Sequence, residues 1–566
     1  MTRAIAPWLA VSLLVATPAM AATSLSVDLS APIGPATHVA SGSLYGVTET
    51  LPADVNAWIA PLRPKMFTNP AANVQQPIGD AIVVAGRVAP TGALVTIRLA
   101  DWLKGFYTFT SMSDWLDKVG QTVSRKKAAG LTNIYAYEIW NEPNGTYANS
   151  NPLSFNEFWR QTFVQLRKLD PDVKITGPSL SFYNQSFLKD FLTFCKTNNC
   201  LPDIVGWHEL GGGNFTGTFQ SYRALEKQLG IGPLPISINE YSGAAHIDVE
   251  GQPGASAPLI AKFERLGVDS ACISFWDVGH PGRLGSLMAS NTEPNGGWWF
   301  YKWYGEMAGM MVSTTPPSAA NATALDGFAN LDNAGRSASV LMGGVNDGAI
   351  QVVVKGFKAA PFFGATVHAV VERTRFVNRT TAVKATETVS MADLTVTNDQ
   401  ISVSVTGANN ADGYRLKLTP VGGAGSGGSS GAGGASSTGG SAGAGAGGGL
   451  ATGGGGFAAG SGGLAGGGGF AGGGGFATGG SVASGGAGAF GGQASSGAAA
   501  IGGGSGGSSN PTNPGSEAAD PNDDGGCGCR LGRRAGAPER SAAALLSLLF
   551  VWRFSRRRRS RAGSAS

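Results

Sequence analysis

The strongest constraint on the fold is an alternation. Between residues 41 and 311, short runs that read as strands take turns with longer runs that read as amphipathic helices. The strand-like runs lie at 44–48, 65–68, 93–99, 134–140, 173–177, 204–208, 235–239 and 271–276, the third being β-branched at Val95, Thr96 and Ile97. Helices are expected at 113–129, 155–169, 187–196, 219–229, 257–266 and 298–307. In the first of them Trp115, Leu116, Val119 and Val123 are spaced for one buried face. A doubly wound open sheet is the rival arrangement, and it would place a Gly-rich phosphate loop after the first strand; the sequence has none there. The expected class is therefore α/β, a (β/α)8 TIM barrel over 41–311.

Past residue 312 the pattern changes. Short β-rich runs at 338–342, 350–354, 365–371, 394–396, 401–405 and 414–418, separated by Gly, Asn and Asp, predict a small antiparallel β-sandwich over 312–420. More than half of the 88 Gly lie after Val421. The stretch 421–526 is a Gly/Ala/Ser tract, with Phe457, Phe470 and Phe476 recurring in it, and it buries too little apolar area to offset chain entropy. It reads as a flexible linker. The formal charge of +4 owes much to Arg556–Arg559 and Arg561, so the folded part is close to neutral. No basic face suited to nucleic acid is present.

Residues 1–21 read as a secretory leader, with Arg3, an apolar run at 4–16 and the small-x-small site Ala19-Met20-Ala21. Secretion in turn favours a disulfide between Cys195 and Cys200, while Cys272, in an apolar strand, reads as a buried small hydrophobe. No Cys/His spacing suggests a zinc site, and neither metal nor cofactor is expected.

Two strand ends carry the candidate chemistry. Strand four runs into Glu138-Ile139-Trp140-Asn141-Glu142-Pro143-Asn144, and strand seven ends Ile236-Ser237-Ile238-Asn239-Glu240-Tyr241. On a barrel of this kind functional groups come from the C-terminal ends of strands. Strands four and seven lie across the barrel from each other, so Glu142 and Glu240 can flank one sugar ring. A retaining glycosidase needs two carboxyl groups about 5–5.5 Å apart, one as acid/base and one as nucleophile. His208 stands at the end of strand six, and Glu209 beside it either contacts a substrate hydroxyl or faces solvent. Trp276 at the end of strand eight suits stacking on a sugar face. Arg98 on strand three is expected to pair with Glu138 as a buried structural ion pair.

These motifs resemble the clan A glycoside hydrolases, nearest to glycoside hydrolase family 39, over 41–311 and the trailing β domain. The resemblance implies Glu142 as acid/base, Glu240 as nucleophile and Asn141 as a contact to the hydroxyl beside the anomeric carbon. It implies His208 and Trp276 at the sugar. Trp140, Glu209 and Tyr241 complete the expected substrate-binding set. A β-linked oligo- or polysaccharide is the expected partner, a xyloside by default. Strand two, Pro64-Lys65-Met66-Phe67-Thr68-Asn69, lacks the family's Arg-aromatic-His run. The competing functions are a non-catalytic glycan-binding surface protein and a transglycosidase. The tail 527–566 has Cys527-Gly528-Cys529, an apolar run at 542–552 and terminal arginines. It resembles the MYXO-CTERM sorting tail of myxobacterial surface proteins, which implies export, handling by membrane or sorting machinery, and attachment at the outer cell surface.

Overall fold

The computed structural model describes residues 23–422, apart from 148–150, 152, 212, 244–248, 275–281 and 322. The leader, the Gly-rich tract, the Cys-apolar-Arg tail and Trp276 therefore lie outside the described residues.

The alternating runs close into a barrel of eight parallel strands: Gly42–Leu44, Met66–Pro70, Leu94–Arg98, Ile134–Glu138, Lys174–Leu180, Ile204–Trp207, Ile236–Ser242 and Ser270–Ile273. Strand eight closes the ring by pairing with strand seven and, through Ile273 and Ser43, with strand one. The helices outside it start where short polar side chains cap free main-chain donors. Ser111, Ser154 and Asn184 accept from the amides of Asp114, Glu157 and Phe187 at the heads of helices Met112–Ala128, Phe155–Leu169 and Gln185–Thr197. Helices Phe215–Leu229 and Pro253–Leu266 end in the left-handed Gly230 and Gly267, a conformation that costs glycine nothing.

Strand register in the barrel slips at three places, one of them between strands three and four at Val95 and Thr96, and the other two matter for the site. On strand five, Pro178 pairs with Gly206 while Leu180 pairs with Trp207, which leaves Ser179 as an extra residue at φ 60°. On strand seven, Ile238 pairs with Ala271 while Tyr241 pairs with Ile273, so Asn239 and Glu240 share the span of one partner. Such irregularities re-aim side chains.

The second domain differs from expectation at its start. Its nine strands form one hydrogen-bonded sheet, and the strand Thr23–Pro35, from before the barrel, lies between Met310–Thr315 and Ala349–Lys355. The pairing with Ala349–Lys355 is parallel; all others in this sheet are antiparallel. The alternation Leu25, Val27, Leu29 against Ser24, Ser26, Asp28 explains the placement, since the apolar set enters the core with Val340, Met342, Val352 and Leu416. The barrel and this sheet share a polar and apolar seam. Asp326, fully buried, accepts from Lys262 (3.2 Å) and Arg265 (2.6 Å) of helix Pro253–Leu266, and Phe328 and Leu341 join the barrel's core.

The expected Cys195–Cys200 bridge is not formed. Both are buried free thiols at the end of helix Gln185–Thr197, where the Cys200 amide donates to the Cys195 carbonyl (2.9 Å). That main-chain bond already closes the turn, and the sulfurs meet as a hydrogen-bonded thiol pair, burial pushing the Cys195 thiol up and its hydrogen bond pulling Cys200 down. Cys272 is a buried thiol of strand eight. No helix among the described residues is long and apolar enough to cross a membrane.

Candidate active site

At the C-terminal mouth of the barrel, one oxygen of Glu142, one oxygen of Glu240 and a ring nitrogen of His208 lie within 4.8 Å of one another. Each is placed by local backbone chemistry. Glu142 follows strand four with φ 52° and ψ 50°, a left-handed conformation unusual for a non-glycine residue, and Pro143 turns the chain away behind it. Its amide donates to the carbonyl of the extra residue Ser179 (2.8 Å), so the irregularity in strand five anchors it. Glu240 is turned inward by the irregularity in strand seven. His208 is held from strand six by its amide on the Leu180 carbonyl (2.8 Å).

His208 bridges the pair, its Nδ1 3.1 Å from Glu142 Oε1 and its Nε2 3.6 Å from Glu240 Oε1. Burial works against charge on the imidazole, but the two carboxylates outweigh it and hold its pKa above the ordinary value. Glu240 is deeper than Glu142, with its side chain 3% exposed against 17%. Burial raises the Glu240 pKa, and His208 and Arg98 pull it back.

Arg98, ending strand three, is the cation beneath the site. Its Nε donates to Glu138 (3.0 Å), as expected, and its Nη1 donates to Glu240 Oε1 (2.9 Å) and to the Tyr45 hydroxyl (3.1 Å). The second bond was not foreseen; a charged residue closing an apolar strand was the available signal. Tyr45 and Tyr107 donate in turn to Asp101 (2.6 and 3.1 Å), whose carboxyl burial pushes up to about 6. Strand three supplies the positive charge at the site. Strand two's Asn69 instead ties down a rim loop through the carbonyls of Val47 and Gly79 (3.0 and 2.8 Å). The cluster of Glu142, His208 and Glu240 would suit a cation on spacing alone. With a guanidinium already 2.9 Å from Glu240, a second positive charge there is disfavoured.

The remaining expected contacts divide. Asn141 is buried beside Glu142, its amide sharing a hydrogen bond with Tyr107 while its Oδ1 has no partner, which suits a group awaiting a sugar hydroxyl. Three others turn away. Tyr241 points outward on its strand, its hydroxyl donating to the Ala40 carbonyl (2.8 Å) and touching Tyr301 (2.6 Å). Glu209, one step past the inward His208, faces out and accepts from Trp207 Nε1 (2.8 Å) and Thr218 (3.4 Å); burial pushes it to about 7. Trp140 is wedged among Tyr107, Trp115, Tyr147 and Phe158, with ring centroids 5.2–5.9 Å away, and stiffens the strand-four turn from behind. Strand alternation and outer-layer packing account for all three. Two inward polar groups were missed, Ser179 and Asn239. Both are buried with no hydrogen bond on Ser179 Oγ or on either amide atom of Asn239. Neither irregularity in register leaves a mark in the hydropathy pattern.

A closed parallel barrel with glutamates at the ends of strands four and seven has the architecture of the clan A glycoside hydrolases. The profile of Glycosyl hydrolases family 39 matches residues 106–231, a stretch that contains strand four and Glu142. The solved structure of N2152 from Neocallimastix frontalis is 46% identical, with a TM-score of 0.69, and the alignment covers 70% of this chain and 99% of that one. A 3-O-alpha-D-galactosyl-alpha-L-arabinofuranosidase of Bifidobacterium longum subsp. longum is 28% identical over 473 residues, 70% of this chain and 40% of that protein. A 3-O-beta-L-arabinopyranosyl-alpha-L-arabinofuranosidase of Bifidobacterium pseudocatenulatum is 26% identical over 473 residues, 70% of this chain and 47% of that protein. The chain resembles glycoside hydrolase family 39 over residues 106–231. It spans less than half the length of the two bifidobacterial relatives.

Proposed function

We propose that the protein is a retaining glycoside hydrolase acting on an α-L-arabinofuranoside. The observation that carries the reaction type is the closeness of the Glu142 and Glu240 oxygens, within 4.8 Å. Facing oxygens this close fit the carboxyl spacing of about 5–5.5 Å in retaining enzymes better than the about 6.5–9.5 Å by which inverting enzymes make room for a water. Glu240, ion-paired to Arg98 and buried, attacks the anomeric carbon, and the bond to the leaving oxygen breaks as Glu142 delivers its proton there. Water, deprotonated by Glu142, then attacks the same carbon and releases Glu240. His208 holds both carboxyl groups in place, and Asn141 meets a hydroxyl of the ring.

The choice of sugar rests on the two arabinofuranosidase relatives and replaces the xyloside as first substrate. α-L-Arabinofuranosides and β-D-xylosides present the leaving oxygen in the same sense, so one carboxyl pair serves either. 4-Nitrophenyl α-L-arabinofuranoside and 4-nitrophenyl β-D-xyloside, followed by proton NMR, form the test. Retention with preference for the arabinofuranoside is expected, and an inverted first product would exclude the mechanism. Glu240→Ala loses turnover, and azide restores it with an inverted glycosyl azide. Glu142→Ala costs about 10²–10⁴-fold on sugars with poor leaving groups and far less on activated aryl glycosides.

We further propose that the protein is exported and held at the outer cell surface, supported by Arg3, the Ala19-Met20-Ala21 site and the Cys527-Gly528-Cys529, apolar and arginine order of the tail. Intact-mass measurement of the native protein reads both ends; retention of Met1 and Ser566 would defeat this reading.

A further inference from the structure

Among the described residues, only two aromatic side chains are largely exposed, Phe106 at 42% and Phe182 at 57%. Both stand on loops at the C-terminal mouth of the barrel, Phe106 after strand three and Phe182 after strand five, flanking the strand that carries Glu142. Every other described Phe, Tyr and Trp is at least partly packed away. Leaving a phenyl ring in water forgoes the burial that drives folding, so two such rings at one mouth point to a ligand that covers them.

Phe182 is the better placed of the two. The loop after strand five is fastened to the loop after strand four by Asn144 Nδ2 donating to Ser181 Oγ (2.7 Å) and the Ser181 amide donating to Asn144 Oδ1 (3.0 Å). The Glu142 amide on the Ser179 carbonyl adds a third tie (2.8 Å). On its other side Tyr183 packs edge-on against Trp207, centroids 5.5 Å apart. With both neighbours pinned, the chain at Phe182 is held three residues past Ser179, whose carbonyl anchors Glu142. A general acid stands by the oxygen it protonates, so the side of the cleft nearest Glu142 is where the departing sugar sits. A flat apolar ring suits the C–H face of a sugar.

We infer that Phe182 is the stacking platform for the first sugar on the leaving-group side, which makes an oligo- or polysaccharide the natural substrate. This rests on the retaining-hydrolase reading above. It is tested by comparing two substrates with the same transferred sugar: α-L-arabinofuranosyl fluoride, whose leaving group has no ring, and an α-L-arabinofuranosyl-substituted oligosaccharide. Phe182→Ala should lower kcat/KM on the oligosaccharide about tenfold, mainly through KM, and leave the fluoride unchanged, while Phe182→Trp keeps both. Equal losses on the two substrates, or no loss on the oligosaccharide, would overturn the platform and leave the carboxylate chemistry standing. A wild-type enzyme inert toward both would overturn the arabinofuranoside-hydrolase reading, and the platform with it.

Discussion

Arg98 shows how much a single side chain decides in this protein. Its guanidinium is buried between Glu138 and Glu240 and bonded to each. It repays its own desolvation only because both carboxylates are there, and they are tolerated only because it is. Arg98→Met therefore leaves two buried carboxyl groups without their cation and should cost about 3–5 kcal/mol in urea unfolding. It also moves chemistry. Glu240 must be ionised to attack, and losing a neighbouring positive charge favours its protonated form, so the acidic limb of the kcat/KM profile should shift to higher pH. An unmoved limb would mean that the Arg98–Glu240 contact is structural only.

At the scale of elements, the irregular positions carry the function. Strand five contributes Ser179 only because its chain carries one residue more than its partner across that step, and the packing behind it is tight. A Cβ on Gly177 would lie 2.4 Å from Trp159 Cζ3, inside the indole of helix Phe155–Leu169. Gly177→Ala should therefore destabilise by about 1–3 kcal/mol and disturb the Ser179 carbonyl that holds Glu142, lowering kcat as well as the melting temperature. Just past strand six stands Glu209, whose carboxyl burial pushes from 4.5 to about 7. Between those values the folded state keeps a proton that the unfolded chain releases. Stability contributed by this group is therefore full at low pH and falls as pH rises through that window. Glu209→Gln should remove about 2 kcal/mol of that decline between pH 5 and 8, read from urea midpoints. An unchanged slope would show that Glu209 is ionised in the fold.

For the whole molecule, the barrel and the nine-stranded sheet should behave as one cooperative body. Lys262 and Asp326 are both fully buried at their junction, with Arg265 on the same carboxylate. Gly254 sits so close to the sheet's return loop that a Cβ there would lie 1.8 Å from the Asn410 carbonyl oxygen. Asp326→Ala strands a buried ammonium and should cost about 3–5 kcal/mol while keeping a single calorimetric transition. Two separated transitions, or a soluble folded fragment of residues 41–311 alone, would show that the seam is dispensable.

The alternation of residues 41–311 was enough to specify the barrel, because periodic burial is written in neighbouring residues and the handed β/α connection leaves few ways to close it. Glu142, Glu240 and His208 were legible for the same reason: each ends an apolar strand, and strand ends meet at one mouth. Tertiary structure alone decided which side chains turn inward there. Tyr241, Glu209 and Trp140 sit next to inward residues and face out, while Ser179 and Asn239 are swung in by slips of register that involve partner strands far away in the chain. It also decided that Thr23–Pro35 pairs with strands nearly three hundred positions or more downstream, and that Arg98 serves two glutamates from different strands. Pairing register and long-range charge depend on which segments become neighbours, and no local pattern of residues records that.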